Sequence, residues 1–433
     1  MNSDTQFTPA RPVNNVAVNA ASAKPKKKYT LRKLINDVHL WLGLSSGLIL
    51  FVVCLSGTVY TFHSEVEQFM EPEKFYVSVP EGQGRLSADA LIAKLEADLN
   101  GKVTAIEIPA DAAAACKVSV AAAKPAKVVA AAAGGNGKPL SEGKPQGEAG
   151  KKAAKGAPKQ RPKTYYVNPY TGAITGQGGG KTAEFFTTVM KLHRWLLIEG
   201  GTGRIIVGSA TIIFVLLTLT GLILWFPARL RYWKQGLKIM VSGNWKRLNH
   251  DLHNTLGFYS FILLLIMGLT GLCWSFDWYR DGVSAIMGDK VFKGRGEKPL
   301  PSKLPAAASN AHTVAYILSV TDNTFPYKGD VRISLPEGTE GTYVVSKYKS
   351  GFFAPAVADK LQVDQYSGTP LKVERFADKK LNEKIVASIR PLHLGDIYGT
   401  FSKILYFIAC LIATSLPVTG TMIWINKLKK KSK

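Results

Sequence analysis

The chain has 433 residues and a formal net charge of +24, with 55 Lys and Arg against 31 Asp and Glu. Four uncharged apolar runs, near 38–62, 205–226, 254–276 and 404–425, each reach the length of about 20 residues that a bilayer span needs. They predict an integral membrane protein whose surroundings are a lipid bilayer, and they exclude nucleic acid as the partner of the positive charge.

The basic residues predict the topology of these spans. Residues 1–30 are polar and then lysine-rich, which is typical of a disordered cytoplasmic tail. The 228–249 loop carries six Lys and Arg and no acid, and the 427–433 tail carries five lysines. The positive-inside rule therefore places both termini and this loop in the cytoplasm and the two long loops outside. The first apolar run is too long for a cleavable signal and is expected to remain as an anchor.

The chain divides into two halves with the same order of segments, each a span, an outside α+β domain, an outer segment and a return span. The predicted segments are transmembrane helix 1 in 31–63, a first outside domain in 64–183, an outer helix with transmembrane helix 2 in 184–227, the cytoplasmic loop in 228–249, transmembrane helix 3 in 250–277, a second outside domain in 278–385, and an outer segment with transmembrane helix 4 in 386–426. The predicted fold class is a membrane α-helical protein with α+β extramembrane domains, built as a four-helix bundle from two parallel repeats.

The two outside domains show one pattern, a helical period followed by strand-like alternation. Each closes on a strand and turn in which Asn168 and Gly172, or Asp364 and Gly368, suit a tight turn. The first copy is interrupted at 124–163 by Ala/Lys/Gly/Pro-rich sequence, which is expected to be disordered. Cysteines are few, and only one lies outside the spans, so neither an outside disulfide nor a Cys-ligated metal site is expected.

The first and third apolar runs begin with the same motif. His39-Leu-Trp-Leu-Gly-Leu and His253-Asn-Thr-Leu-Gly-Phe stay in register without a gap to the end of each run. Ionisable residues at the edge of lipid are costly, so a duplicated histidine indicates a functional site. The shared residues are His39/His253, Leu42/Leu256, Gly43/Gly257, Ser46/Ser260, Leu50/Leu264, Leu55/Leu269, Gly57/Gly271 and Phe62/Phe276.

A second duplicated histidine precedes the return spans, as His193 in one half and His393 in the other; those spans also share a Thr-Gly pair, at 220–221 and 419–420. A two-fold axis along the membrane normal brings His39 to His253 near the cytoplasmic surface. It brings the other two histidines together near the outer surface. Two facing imidazoles are the axial ligands that a six-coordinate haem needs.

Glycines and arginines beside these histidines are further candidate cofactor-binding residues. Gly43 and Gly257 lie four residues after their histidines, on the same helix face, and leave room for a flat macrocycle. Arg194, Arg204 and Arg390 lie close to the outer histidines and can pair with haem propionates or an acidic substrate. Anchoring of the helix ends at the membrane surface is an equally good interpretation of the arginines.

Other interpretations of the histidines stay open. They can be structural, with each imidazole bonded to a backbone carbonyl at a helix end. A zinc ion between two histidines would need further ligands. His250 lies three residues before His253 and is either an alternative ligand or a partner behind it. His63, whose counterpart is Asp277, is another alternative ligand.

Several motifs together are typical of one family. They are His39-Leu-Trp-Leu-Gly-Leu with Leu-Ser-Gly-Thr, the Tyr-Val-Asn-Pro-Tyr-Thr-Gly and Gln-Val-Asp-Gln-Tyr-Ser-Gly that close the outside domains, and Leu-His before each return span. Over about residues 30–427 the chain resembles the PepSY-associated transmembrane proteins, and among them most of all the bacterial inner-membrane ferric-siderophore reductases. The resemblance implies PepSY-like periplasmic domains and two haem b groups, with His39, His193, His253 and His393 as axial ligands of the iron.

The resemblance also implies an oxidoreductase that passes electrons across the inner membrane to a ferric siderophore in the periplasm and releases iron(II). No catalytic side chain is expected, because the electrons pass through haem. No nucleotide- or flavin-binding segment is visible after transmembrane helix 4, so a quinol or a cytoplasmic reductase is expected as the donor. Two rival hypotheses are a non-redox membrane protein whose domains bind or regulate a periplasmic peptide or enzyme, and a dihaem conduit that serves another acceptor.

Overall fold

The structure, a computed structural model, describes residues 29–122, 162–227, 229–293, 298–305 and 310–431. Most of the predicted tail at 1–30 and nearly all of the predicted insert at 124–163 lie outside the described residues.

The described part of the chain contains twelve α-helices and eight strands. The helices are α1 (Leu31–Tyr60), α2 (His63–Met70), α3 (Pro72–Phe75), α4 (Ala88–Leu99), α5 (Lys181–Trp195), α6 (Thr202–Trp225), α7 (Trp245–Asp251), α8 (Gly257–Ser275), α9 (Asp277–Met287), α10 (Val314–Thr324), α11 (Leu381–Leu394) and α12 (Gly399–Lys431). The strands are β1 (Gly101–Ile108), β2 (Cys116–Ala122), β3 (Lys163–Val167), β4 (Ile174–Gln177), β5 (Gly329–Ser334), β6 (Thr342–Lys349), β7 (Asp359–Asp364) and β8 (Pro370–Glu374).

Four helices are long and apolar enough to cross a membrane, as the sequence predicts. They are α1, α6, α12 and the continuous helix Trp245–Ser275, in which a π-helical turn at Leu252–Leu256 joins α7 to α8. Helix α1 contacts α6 and α12, and α8 contacts the same two helices, so the four spans form a closed bundle. We call its two ends the loop end, where the 229–247 connection lies, and the sheet end.

All eight strands form one antiparallel sheet in the order β4-β3-β2-β1-β5-β6-β7-β8. The sequence predicts outside domains at 64–183 and 278–385 and gives no sign that they join. In the structure, β1 pairs with β5 and places Ile106 opposite Ile333. The extramembrane part is therefore one continuous sheet made from both halves of the chain.

The two halves of the sheet also share one hydrophobic core. Helices α4 and α10 contact each other, and their buried residues join those of the central strands in a single cluster. Asp89, in the first turn of α4, accepts hydrogen bonds at 2.7 and 2.9 Å from the backbone N–H groups of Val314 and Ala315. A carboxylate there caps the amino end of α10 and so links the halves.

The predicted turn chemistry at the end of each half is confirmed. Gly172 and Gly368 adopt φ of +69° and +66°, a region that favours glycine. The Oδ1 atoms of Asn168 and Asp364 each accept hydrogen bonds from the backbone N–H groups two and three residues further on. These turns precede the hairpin strands β4 and β8, which lead into α5 and α11.

Helices α5 and α11 connect the sheet to the return spans. Helix α5 packs on α1 and α6, and α11 packs on α8. Each ends in a left-handed residue, at Leu196 and Gly395, immediately before the chain turns toward the next span. The last turns of these two helices carry His193 and His393 to the sheet end of the bundle.

Candidate functional site

The structure brings the four duplicated histidines together in two pairs. His39 and His253 form the loop-end pair, with ring centroids 6.4 Å apart and an interplanar angle of 85°. His193 and His393 form the sheet-end pair, with centroids 6.3 Å apart and an angle of 53°. This is the pairing that the internal repeat predicts; the role of the histidines as ligands stays a prediction.

Threonine hydroxyls orient the loop-end pair. The Nδ1 atom of His39 lies 2.9 Å from Oγ1 of Thr220, and Nδ1 of His253 lies 2.9 Å from Oγ1 of Thr419. Each hydroxyl donates its own hydrogen to the backbone carbonyl four residues earlier in its helix, at 2.7 and 3.0 Å. The hydroxyl oxygen therefore accepts from the histidine, which must carry its proton on Nδ1.

Backbone carbonyls orient the sheet-end pair in the same way. The Nδ1 atom of His193 donates to the carbonyl of Val53 at 2.8 Å, and that of His393 donates to the carbonyl of Met267 at 3.0 Å. A carbonyl can only accept, so the Nδ1–H tautomer is required here as well. In the described part of the chain, every hydrogen bond of these four rings is made through Nδ1.

This arrangement suits metal binding. A ring whose Nδ1–H is held by an oxygen presents the lone pair of Nε2, and such a second partner is typical of metal-bound histidine. In α11, which lies outside the four spans, burial lowers the pKa of His393 to about 4, and the charge of His193 adds to this effect. Burial likewise lowers the pKa of His193. Both rings are therefore neutral near pH 7, the form that binds metal.

Each histidine ring packs against a glycine of a neighbouring helix. A Cβ atom on Gly57 or Gly271 would lie 3.0 Å from Cε1 of a sheet-end histidine. On Gly221 and Gly420 it would lie 3.4 and 3.1 Å from Cε1 of a loop-end histidine. All four glycines are duplicated in the internal repeat, which marks them in the sequence. The repeat alone does not show that each of them contacts a histidine ring.

The predicted role of Gly43 and Gly257 is not decided by these contacts. A Cβ at Gly43 would meet only Leu217, and one at Gly257 only Leu416, both at an ordinary 3.8 Å. These glycines therefore do not support the histidine rings. Their contribution to space for a macrocycle stays a prediction.

A cavity of about 1080 Å³ adjoins the sheet-end pair and is lined by both of its histidines. Cofactor pockets commonly measure about 300–1,000 Å³. Arg194, Arg204 and Arg390, predicted from the sequence to lie near the outer histidines, line the same cavity. The Arg194 guanidinium also lies over the ring of Trp195, 5.0 Å from its centroid. The cavity thus combines two imidazoles with a positively charged wall.

The alternative ligands lie apart from the pairs. His250 is exposed, and its Nδ1 lies 3.5 Å from the carboxylate of Asp251. The ring that faces His39 belongs to His253. His63 lines the cavity, but its ring stacks on Tyr60 at 4.1 Å and its Nδ1 bonds the carbonyl of the same residue. The geometry thus places His253, and not His250, opposite His39. The described ring contacts of His63 are with Tyr60 and Phe186 and not with a second histidine, and its role as an alternative ligand stays a prediction.

Among the residues that the structure describes, no group of three or more His, Cys, Asp or Glu side chains is placed to hold a metal ion. A metal at either pair would therefore take no more than two ligands from the His, Cys, Asp and Glu side chains of these residues.

The fold and the site define a membrane protein with four spanning helices, an extramembrane antiparallel sheet domain and one histidine pair at each end of the bundle. A family model described as the PepSY-associated TM region matches residues 37–427, and the chain belongs to this family. The matched range contains all four histidines and the whole sheet. No curated protein matches the chain.

Proposed function

We propose that the chain is a dihaem oxidoreductase of a bacterial inner membrane, which passes electrons across the bilayer to a ferric siderophore in the periplasm. The observation that carries the proposal is the presence of one facing pair of imidazoles at each end of the bundle, all four with Nδ1 held by an oxygen. In this orientation the loop end is cytoplasmic and the sheet is periplasmic, in agreement with the positive-inside rule.

Each pair would offer two imidazole nitrogens to one metal. The ring centroids are 6.4 Å apart in the loop-end pair and 6.3 Å apart in the sheet-end pair, and a metal would lie about 2 Å from each nitrogen that bound it. Two protein ligands are too few for tetrahedral zinc but suffice for haem, whose porphyrin supplies four nitrogens. Haem, when bound, accepts and donates single electrons.

The two pairs lie at different levels of the same bundle. Helix α1 carries His39 and, fourteen residues later, the carbonyl of Val53 that holds His193. At a rise of 1.5 Å per residue these positions are about 21 Å apart along the helix. The two histidine pairs would thus hold one cofactor near each end of the bundle, among the spanning helices.

The acceptor is proposed from the charge and chemistry of the periplasmic site. Arg194, Arg204 and Arg390 line the cavity beside the sheet-end pair and can attract an acidic chelate. One electron reduces Fe(III) to Fe(II), which hard oxygen ligands hold less tightly. No bond to the protein forms or breaks, and the electron comes from a quinol or a cytoplasmic reductase.

The test is the absorption spectrum of the detergent-purified protein, oxidised and then reduced with dithionite, with haem quantified per chain. We expect a low-spin b-type spectrum and about two haems per chain. The reduced protein should then be oxidised by a ferric siderophore, with the appearance of iron(II). A colourless protein from cells supplied with haem precursor would contradict the proposal and favour a binding or regulatory role for the sheet domain.

Removal of the threonine hydroxyls should weaken the loop-end site alone. We expect Thr220→Val or Thr419→Val, which keeps the side-chain shape but removes the acceptor for Nδ1–H, to lower haem retention at that site by about 10- to 100-fold. Haem content after dialysis against apomyoglobin measures this loss. The matched control is Thr218→Val. Thr218 lies on the same helix as Thr220, and in the described contacts its hydroxyl donates only to the carbonyl of Phe214 in that helix. An equal loss in the control would show that the effect comes from the helix and not from the histidine.

A further inference from the structure

The connection between β6 and β7 is unusually apolar for a turn of an extramembrane sheet. Its residues 350–358, Ser-Gly-Phe-Phe-Ala-Pro-Ala-Val-Ala, carry no charge. We call this segment the hairpin tip. The side chains of Phe352 and Phe353 are 51% and 62% exposed. Two adjacent exposed phenylalanines in an uncharged loop form an apolar patch, and apolar patches commonly mark contact with lipid or with another protein.

The hairpin tip is fixed to the first turn of the span α12. The backbone N–H of Phe401 donates to the carbonyl of Phe352 at 3.3 Å, and the Phe353 ring lies 5.1 Å from that of Phe401. Gly399 begins the helix with φ of +59°, and a Cβ there would lie 2.8 Å from the Phe352 carbonyl. Glycine is thus needed for this approach, and the position of the tip is set by the span.

The length of α12 predicts that its first turn reaches the level of the lipid headgroups. The spanning part of the helix, Gly399–Lys429, has 31 residues and is therefore about 46 Å long. A bilayer is about 40–45 Å thick including its headgroups, so both ends of this helix reach the interfacial layers. The exposed side chains of Phe401, Ile404 and Ile408 continue from the tip down the helix. The apolar surface of the tip is thus continuous with the lipid-facing surface of a span.

We propose that the hairpin tip is a membrane anchor, with Phe352 and Phe353 inserted into the interfacial lipid layer at the sheet end. Aromatic side chains favour this layer, and an uncharged loop enters it at little electrostatic cost. The anchor gives the sheet a second attachment to the membrane besides its helical connections. The connection between β2 and β3 in the other half differs in composition, since it is lysine-rich in sequence.

The test is the depth of a fluorescent probe in the full-length protein in lipid nanodiscs. Phe353→Cys is labelled with an NBD maleimide and measured with and without lipids that carry a doxyl quencher near the headgroup. The unsubstituted protein, labelled in parallel, gives the background from the native cysteines. We expect a blue-shifted emission and a strong loss of fluorescence with the quencher lipid.

The matched control is Thr339→Cys, an exposed position before the opposite end of β6. The eight residues of that strand place it about 26 Å or more from the tip. We expect a solvent-like, unquenched probe there. Ser350→Cys, at the exposed base of the tip, repeats the measurement with both phenylalanines retained and should also be quenched. Solvent-like emission at both 350 and 353 would overturn the proposal.

Discussion

Replacing His193 or His393 by alanine should lower the haem content from about two to about one per chain and reduce electron transfer to a ferric siderophore to background. The remaining imidazole of the sheet-end pair would be left without its partner, 6.3 Å away in the native protein. A haem that lost one of its two protein ligands would be held less tightly, and in the proposed orientation this site is the one on the periplasmic side. Pyridine haemochrome quantification of the purified variants measures the loss.

The other histidines provide the controls for this experiment. His63→Ala and His250→Ala should keep about two haems per chain, because neither ring faces another histidine of a pair. His39→Ala should remove the loop-end haem and leave the sheet-end spectrum. If His193→Ala and His393→Ala each retained a full haem complement with an unchanged spectrum, the sheet-end pair would not be a ligand pair.

Gly57→Val or Gly271→Val should cause nearly the same loss of haem as replacement of His193 or His393 by alanine. A Cβ at either position would lie 3.0 Å from the Cε1 atom of His193 or His393, and valine adds two further methyl groups. The ring must move, which breaks the Nδ1 hydrogen bond that orients it. We expect loss of the sheet-end haem, together with about 1–3 kcal/mol of destabilisation from overpacking.

The same substitution at Gly47 is the control for Gly57→Val. Gly47 lies on the same helix, and its nearest neighbour to an added Cβ would be Pro417 at 3.7 Å. Haem content and thermal unfolding in detergent should both be measured for the two variants. Selective haem loss in Gly57→Val supports the packing argument, whereas equal haem loss in both variants would attribute it to a general disturbance of α1.

Much of the architecture follows from local sequence. Uncharged runs of more than 20 residues must form helices in lipid, because no other structure satisfies the backbone of a single span there, and all four predicted spans are found. The two turns close where Asn168 with Gly172 and Asp364 with Gly368 predict them, because their geometry depends on neighbouring residues alone. The duplicated histidines were visible because a repeat keeps its spacing in sequence.

The joining of the two halves of the sheet could not be predicted from the sequence. Apolar and polar residues alternate along β1 as they do in many half-buried strands, and no residue of β1 specifies β5 as its neighbour. The pairing of Ile106 with Ile333 and the cap that Asp89 places on α10 unite residues more than 220 positions apart. They depend on how the two units meet above the membrane, which hydrophobic periodicity does not encode.

The sequence by itself thus determined the class of the protein, the membrane topology expected for it and the four histidines worth testing. The tertiary structure decided which histidines face each other, and it selected His253 over His250, since spacing along a helix does not fix which side chain reaches a partner span. It also decided what holds each ring. The carbonyl of Val53 lies 140 residues from His193, and Thr220 lies 181 residues from His39. Such partners are set by the rotation and depth at which helices pack, which are properties of the whole bundle and not of any one segment.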